Sequence, residues 1–371
     1  MNRRLLLGSL PLLAAPRLLR AQGAPIRVTD LVGRQVTLPG SARHIVLTQA
    51  RHVLAMALLH PDPVSLIVGW GDDLRQLNAP SYAALRARFP QADSIPIVGR
   101  AQGDGISIET VLAARPDLIV ISRGALRGVE SGMVERIAAL GIPTVVIDFF
   151  SDPMRDTRRS MAILGQVLGL EERAGAFDAF YAGKLEGIAS RLSGLGEARP
   201  KVLVHAHAGG VPCCSSPGKG AFDSMIRFAG GHNIGADLLP GALGQLALEY
   251  VLARNPDVVV ATGGPFAGRG GIALGPGADA ETARRDLAAV LRRERLDVLP
   301  AVKAGRVHGI WHGFNDTPAH VVMLEALARW FHPERCAGLD PAATLAELNS
   351  RFLSVPMEGA YWADLPPGAI R

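Results

Sequence analysis

Residues 108–120 read IETVLAARPDLIV, and residues 248–260 read LEYVLARNPDVVV. The copies share Glu109/Glu249, Val111-Leu112-Ala113/Val251-Leu252-Ala253 and Pro116-Asp117/Pro256-Asp257, and each ends in an apolar, β-branched run. In the first copy Ile108, Val111 and Leu112 fall at helical spacing, Pro116 breaks the helix, and Leu118–Ile121 reads as a buried strand. Short helix, Pro-Asp turn and strand make one step of a parallel α/β sheet. A chain that writes this step twice, far apart, predicts two similar lobes.

Other apolar runs alternate with helical segments in both halves. The first half has 44–47, 66–68, 119–121 and 144–147, and the second has 202–204, 258–261 and 307–310. The fold class expected is α/β: two Rossmann-like lobes with parallel sheets. Between them, residues 156–192 carry almost no strand signal. Met161, Leu164, Val167, Leu168, Phe177, Phe180, Tyr181, Leu185 and Ile188 recur at helical spacing. Gly165, Gly169 and Gly175 are expected to break this stretch into a shorter helix and a long one over 171–192. At 1.5 Å per residue the long helix spans about 30 Å, enough to join two lobes. Open parallel sheets bind ligands outside the carboxyl ends of their strands, so facing lobes imply one cleft between them.

Composition sets the frame. The chain has 371 residues, about two domains' worth, with 48% hydrophobic and 20% charged residues, ordinary for a globular protein. The net charge of +5 is almost all arginine, dispersed with no block of five or six, which argues against a nucleic-acid surface. Residues 1–23 have Arg3-Arg4, an apolar run from Leu5 to Ala15 and small residues near Ala21: a cleaved secretory signal, possible also as a twin-arginine signal. No later stretch is apolar enough to span a bilayer, so the mature chain is expected in the periplasm, as a monomer. The boundaries expected are 24–155 for the first lobe, 156–198 for the helical segment and 199–335 for the second lobe. Residues 336–371 form a C-terminal extension to which the sequence assigns no role.

Cys213 and Cys214 are adjacent and Cys336 is distant. A single disulfide from Cys336 to either neighbour is open. A bond between the neighbours is disfavoured, because adjacent Cβ atoms point apart. No GxSxG, GxxxxGK[ST] or HExxH motif occurs, so no enzyme is expected.

Read in order, VTDLVGRQVTLP (28–39), RHIV (43–46), ISIETVLAARPDLIV (106–120), GIPTVVID (141–148), FDSMIRFAGGHNIGAD (222–237), LEYVLARNPDVVV (248–260) and LPAVKAGRVHGIW (299–311) resemble the periplasmic substrate-binding proteins of ABC importers for ferric siderophores, haem and cobalamin. The resemblance covers about residues 26–335. It implies two α/β lobes joined by one long helix, no resident cofactor, and a ferric siderophore as cargo. It also implies that Glu109 and Glu249 dock into arginine pockets of a permease dimer that works with an ATPase. A carboxylate at a helix N-terminus also stabilises its own helix, by about 0.3–1 kcal/mol.

Strand-end loops supply the expected ligand contacts: Arg51, His52, Trp70, Arg100 and Arg123 in the first lobe, and His205, His207, Trp311, His312 and Phe314 in the second. Arginine offers a planar cationic fork to chelate oxygens, and the aromatic rings offer flat walls. His205 and His207, two apart at a strand end, are expected to point the same way and to share a metal. The stretch before Glu249, ADLLPGALGQLALE (236–249), lacks the histidine or tyrosine that some relatives place there. Haem or cobalamin cargo, or a histidine-based metal-ion or nickel site, are the alternatives.

Overall fold

The computed structural model describes residues 24–100, 105–126, 136–137, 139–196, 199–265 and 269–370. The expected signal segment, 1–23, lies outside the described residues. The chain opens with an antiparallel hairpin of β1 (Ile26–Thr29) and β2 (Gln35–Leu38). The Asp30 carboxylate accepts from Val32 and Arg34 N–H within the turn and from Val146 N–H, which ties the hairpin to the sheet.

The first-lobe sheet contains β3 (Ile45–Leu47), β4 (Ile67–Gly71), β5 (Ile97–Arg100), β6 (Gly105–Ile106), β7 (Leu118–Ser122) and β8 (Thr144–Ile147) in the order β6-β5-β4-β3-β7-β8. Every pairing is parallel except β6 against β5. Strands β3, β7 and β8 are buried along their whole length, which is why they read as unbroken apolar runs rather than alternating ones. Helices α1 (His52–Met56), α2 (Asp73–Leu77) and α3 (Ile108–Ala114) flank this sheet.

Helices α4 (Pro153–Leu168) and α5 (Glu171–Leu192) follow. The break falls at Gly169, at φ 68°, and not at all three expected glycines. Gly165 stays inside α4, where a side chain would meet the Ala174 Cβ at 2.4 Å, so its bareness lets the two helices pack closely. Gly175 lies within α5 with open space beside it.

The second-lobe strands are β9 (Lys201–His205), β10 (Ser215–Ser216), β11 (His232–Asn233), β12 (Gly244–Gln245), β13 (Val258–Gly263), β14 (Val307–Trp311) and β15 (Trp362–Asp364). Five of them form a sheet in the order β11-β9-β13-β14-β15, while β10 and β12 pair separately. The sheet is parallel apart from β15. Helices α6 (Ala221–Phe228), α7 (Leu248–Arg254), α8 (Ala280–Arg293), α9 (His320–Phe331) and α10 (Pro341–Arg351) pack around it.

The repeated phrase proves to be a clamp. Helices α3 and α7 both end in a left-handed residue, Arg115 at φ 48° and Asn255 at φ 44°. Asp117 then accepts hydrogen bonds from Arg43 and His44 N–H at the start of β3, and Asp257 accepts from Lys201 N–H at the start of β9. Val111 and Val251 are fully buried. In each lobe the phrase therefore fixes one strand against its sequence-distant neighbour.

Two expectations change. The C-terminal extension is an integral strap. Phe352 packs on Phe177 and Phe180 of α5, at 5.6 and 5.3 Å between ring centres, Ser354 N–H donates to the Ala57 carbonyl of the first lobe, and β15 closes the second sheet. Arg173 of α5 binds the Leu58 and Phe352 carbonyls, joining helix, first lobe and strap. The cysteines also differ: Cys213 and Cys214 are bonded to each other, and Cys336 is a buried free thiol.

Candidate functional site

Strand order reverses beside β3 in the first lobe and beside β9 in the second, so each sheet has a switch point at its carboxyl end. A cavity of about 370 Å³ joins the two. That is within the usual range for small-molecule sites, roughly 300–1,000 Å³.

The first-lobe wall is organised by Asp73. Its carboxylate accepts from Ala50 N–H at 2.6 Å and Arg51 N–H at 3.3 Å, which folds the loop after β3 over α2. Gly71 permits this approach, since a side chain there would lie 2.5 Å from the Thr48 carbonyl oxygen. Burial pushes the Asp73 carboxyl up, and the Arg51 charge pulls it back. Arg51 donates from Nε and Nη2 to Gln49 Oε1, and its guanidinium lies 5.0 Å from the Phe150 ring centre. Its Nη1 reaches across the cleft to Asp316 of the second lobe at 3.1 Å.

The second-lobe wall centres on a hydroxyl. Thr262 Oγ1, near the end of β13, accepts from His207 N–H at 2.8 Å and bonds His312 Nδ1 at 2.8 Å. The His207 and His312 rings overlap with centres 3.7 Å apart, and Phe222 packs 5.3 Å from His312. Burial lowers His207 to about 3 and His312 to about 4, so both are neutral at neutral pH. Trp311 stands beside them with glycines around it. A side chain on Gly275 would come within 2.5 Å of its indole nitrogen.

Of the ten expected contact residues, Arg51, His207, Trp311 and His312 line this cavity. His52 is buried beneath it against Ser122 Oγ at 3.1 Å, and burial with the nearby Arg51 charge lowers it to about 3. Trp70 lies inside β4, which runs on to Gly71, and packs on Tyr82 in the core. Phe314 turns inward against Trp311 and Tyr361. Arg123 pairs with buried Asp156 at 3.2 Å and braces α4. Arg100 sits exposed at the end of β5, away from the cavity.

His205 and His207 do not share a site. The chain takes φ 51° at His207, so strand alternation ends at His205, whose ring is buried against Glu294 at 2.5 Å. Leu243, Phe222, Asp73 and Asp316 line the cavity and escaped the expected contacts, while Phe150, which follows β8 as a strand-end residue, lines it as strand-end reasoning expects. Phe150 and Leu243 are exposed large apolar residues on opposite rims, and an apolar residue in a loop was the only sequence signal of Leu243.

Glu109 and Glu249 lie in the first turns of α3 and α7, both exposed. A backbone bond at the helix start, then the Ser107 hydroxyl, hold the Glu109 carboxyl below its ordinary value. Three residues on, Leu112 and Leu252 are also exposed, at 42% and 40%. Each lobe thus presents a carboxylate beside a bare leucine.

Two α/β lobes on a helical connector, with one cavity where both switch points meet, define a two-lobed solute-binding protein. The chain belongs to the periplasmic binding protein family, whose profile matches residues 56–310. Members of that family bind a substrate and do not transform it. A cobalamin-binding protein of Halobacterium salinarum is 29% identical over 244 residues, 65% of this chain and 59% of that protein. A vitamin B12-binding protein of Yersinia pestis is 30% identical over 166 residues, 44% and 55% of the two chains. This chain thus spans less than two thirds of the length of either relative. The TroA-like periplasmic binding protein FepB from Veillonella parvula superposes with a TM-score of 0.85 at 26% identity, over 92% of this chain and all of that one. A periplasmic heme-binding protein from Pseudomonas aeruginosa shares the fold, with a TM-score of 0.54 at 18% identity over 87% and 98% of the chains. No described helix is long and apolar enough to cross a membrane.

Proposed function

We propose that the protein is the periplasmic receptor of an ABC importer, capturing a bulky organic metal complex of little net charge. The observation that carries this reading is the charge balance of the cleft. Among the described residues the one cationic side chain lining it, Arg51, is already engaged by Asp316 and flanked by Asp73, and the remaining wall mixes four leucines, two phenylalanines and Trp311 with glycines and neutral polar side chains. A polyanionic chelate would find no free counter-charge among the described residues there, and desolvating it would go uncompensated. A corrinoid, with its large apolar faces and amide rim, suits such a wall, and the names of the two curated relatives point the same way. A ferric siderophore is the second reading, favoured by Arg51 at the cavity and by the likeness to FepB, and is then best an uncharged hydroxamate. For haem or a nickel chelate, His207 and His312 are the candidate ligands; His205 faces away from the cleft.

Delivery uses Glu109 with Leu112 and Glu249 with Leu252. A carboxylate can pair bidentately with a permease arginine, and the adjoining leucine adds apolar contact, so two matched handles suit a permease dimer linked to its ATPase. Export through a cleaved signal in residues 1–23 and action as a monomer complete the reading.

Isothermal titration calorimetry of residues 24–371 tests the cargo. The panel is cyanocobalamin, an uncharged ferric hydroxamate, a ferric catecholate, haemin and Ni²⁺. Saturation at one equivalent by cyanocobalamin, with the catecholate weakest of the organic complexes, is expected. Saturation by the hydroxamate alone selects the second reading. Tightest binding by the catecholate or by free Ni²⁺ would sink the charge-balance reading.

A further inference from the structure

Away from the cleft, the second lobe gathers three metal-ligating side chains. His205 Nε2, Cys213 Sγ and a Glu294 carboxylate oxygen lie within 4.8 Å of one another, the one such His/Cys/Asp/Glu group among the described residues. We propose that these three residues form a thiol-gated site for a soft divalent cation such as Zn²⁺, shut by the Cys213–Cys214 disulfide and opened when a dithiol reduces it.

The surroundings are arranged as a ligand shell needs. His205 Nδ1 faces the Ser215 carbonyl at 3.3 Å, and its Nε2 shares a proton with Glu294 Oε2 at 2.5 Å, so displacing that proton leaves an Nε2 lone pair on the side of Glu294 and Cys213. A ring N–H held by a backbone carbonyl is the usual outer support of a metal-bound histidine. Arg293 occupies the other carboxylate oxygen of Glu294 at 3.0 Å, which leaves Oε2 as the ligand atom. His205 is buried and Glu294 and Cys213 are half-buried, the latter two bordering an open groove of about 490 Å³ that also reaches Leu248. That groove admits both the reductant and the ion.

In a tetrahedral site with metal–sulfur distances of about 2.3 Å and metal–nitrogen or metal–oxygen distances near 2.0–2.2 Å, ligand atoms stand roughly 3.2–3.7 Å apart. The 2.5 Å contact between His205 and Glu294 must open by under about 1 Å, which side-chain rotation supplies. Three protein ligands then leave a fourth position open toward the groove.

The chemistry balances. A dithiol gives two electrons and two protons to the Cys213–Cys214 bond, the S–S bond breaks into two thiols, and the dithiol leaves as its own disulfide. The Cys213 thiol then loses its proton to solvent, and so does the His205–Glu294 hydrogen bond, as sulfur, Nε2 and the carboxylate oxygen bind the cation. In the disulfide form the sulfur has no charge to offer, so the same residues hold the ion poorly.

The probe is Co²⁺, whose bond to a thiolate produces a charge-transfer absorption, added to residues 24–371 carrying Cys336→Ser. One sample is kept oxidised. The other is reduced with dithiothreitol and desalted without air. The reduced protein is expected to bind one Co²⁺ with the charge-transfer band, at least about 100-fold more tightly than the oxidised protein, and to release it to Zn²⁺. Cys213→Ser is expected to abolish the band, and Glu294→Gln to weaken binding by about tenfold or more. His205→Gln should do the same; should it fail to fold, Cys213→Ser and Glu294→Gln carry the test. Equal affinity in the two redox states, no binding after reduction, or a band that survives Cys213→Ser would overturn the proposal.

Discussion

The two copies of the repeated phrase differ less in structure than in what surrounds them. Where they agree and are buried, at Val111/Val251, or pin a strand start, at Asp117/Asp257, the shared residue serves the fold. Where they agree and are exposed, at Glu109/Glu249 and Leu112/Leu252, folding explains only the helix-terminus preference of the acid and nothing of the leucine. Across the cleft the lobes part company. The first lobe brings Arg51, Asp73 and Gln49, while the second brings Thr262 with two overlapping neutral histidines. Likeness belongs to the scaffold and, on the proposed function, to a partner that would meet both lobes alike, while the difference would serve the cargo.

Acidification tests the histidines on both sides at once. His52 under the first-lobe wall and His312 in the second are both buried neutral against a hydroxyl, lowered to about 3 and about 4, and His320 in α9 to about 4. Unfolded, each takes up a proton near pH 6.5, so their contribution is complete above that pH and is lost as pH falls toward 4. Each can cost up to about 1.4 kcal/mol per pH unit in that window. Urea unfolding at pH 7 and pH 5 should therefore differ by several kcal/mol; a flat profile would contradict the burial of these rings.

The clamp aspartates come next. Asp117 holds two strand-start N–H groups and Asp257 one, so Asp117→Ala should cost about 2 kcal/mol and Asp257→Ala about 1 kcal/mol in the same measurement. Equal costs would mean that the second hydrogen bond adds nothing. On the rims, Phe150→Ala and Leu243→Ala should each weaken cargo binding roughly tenfold, about 1.4 kcal/mol, with little change in stability because both are exposed. Calorimetry with the cargo reads this directly. The smallest effect is that of Arg100→Ala, which should leave the dissociation constant unchanged, as Arg100 lies outside the cavity.

The two-lobed plan was legible because periodicity and a repeated phrase are backbone-level signals, and the structure keeps them. The long helix over 171–192 has the bounds the sequence implied. The site was legible only in part. Arg51, His207, Trp311 and His312 stand where strand-end reasoning puts them, but Trp70 was assigned to a loop when its strand runs three residues past the expected end at residue 68. Arg123 turned inward because Asp156, buried on α4, needed a cation, a pairing between elements that no local pattern announces. The left-handed turn at His207 parted two histidines that spacing alone had joined. The adjacent cysteines bonded against expectation. The strap over 352–365 stayed unread because its partners, Phe177, Phe180 and Ala57, are distant in sequence.

The separation of handle from cleft is tested most directly by Glu109→Arg/Glu249→Arg, measured for cargo affinity and for uptake of labelled cargo by cells whose only copy of the protein is this variant. A dissociation constant within about twofold of wild type together with lost uptake is the predicted result. Uptake at the wild-type rate, or an affinity shifted by tenfold, would contradict it.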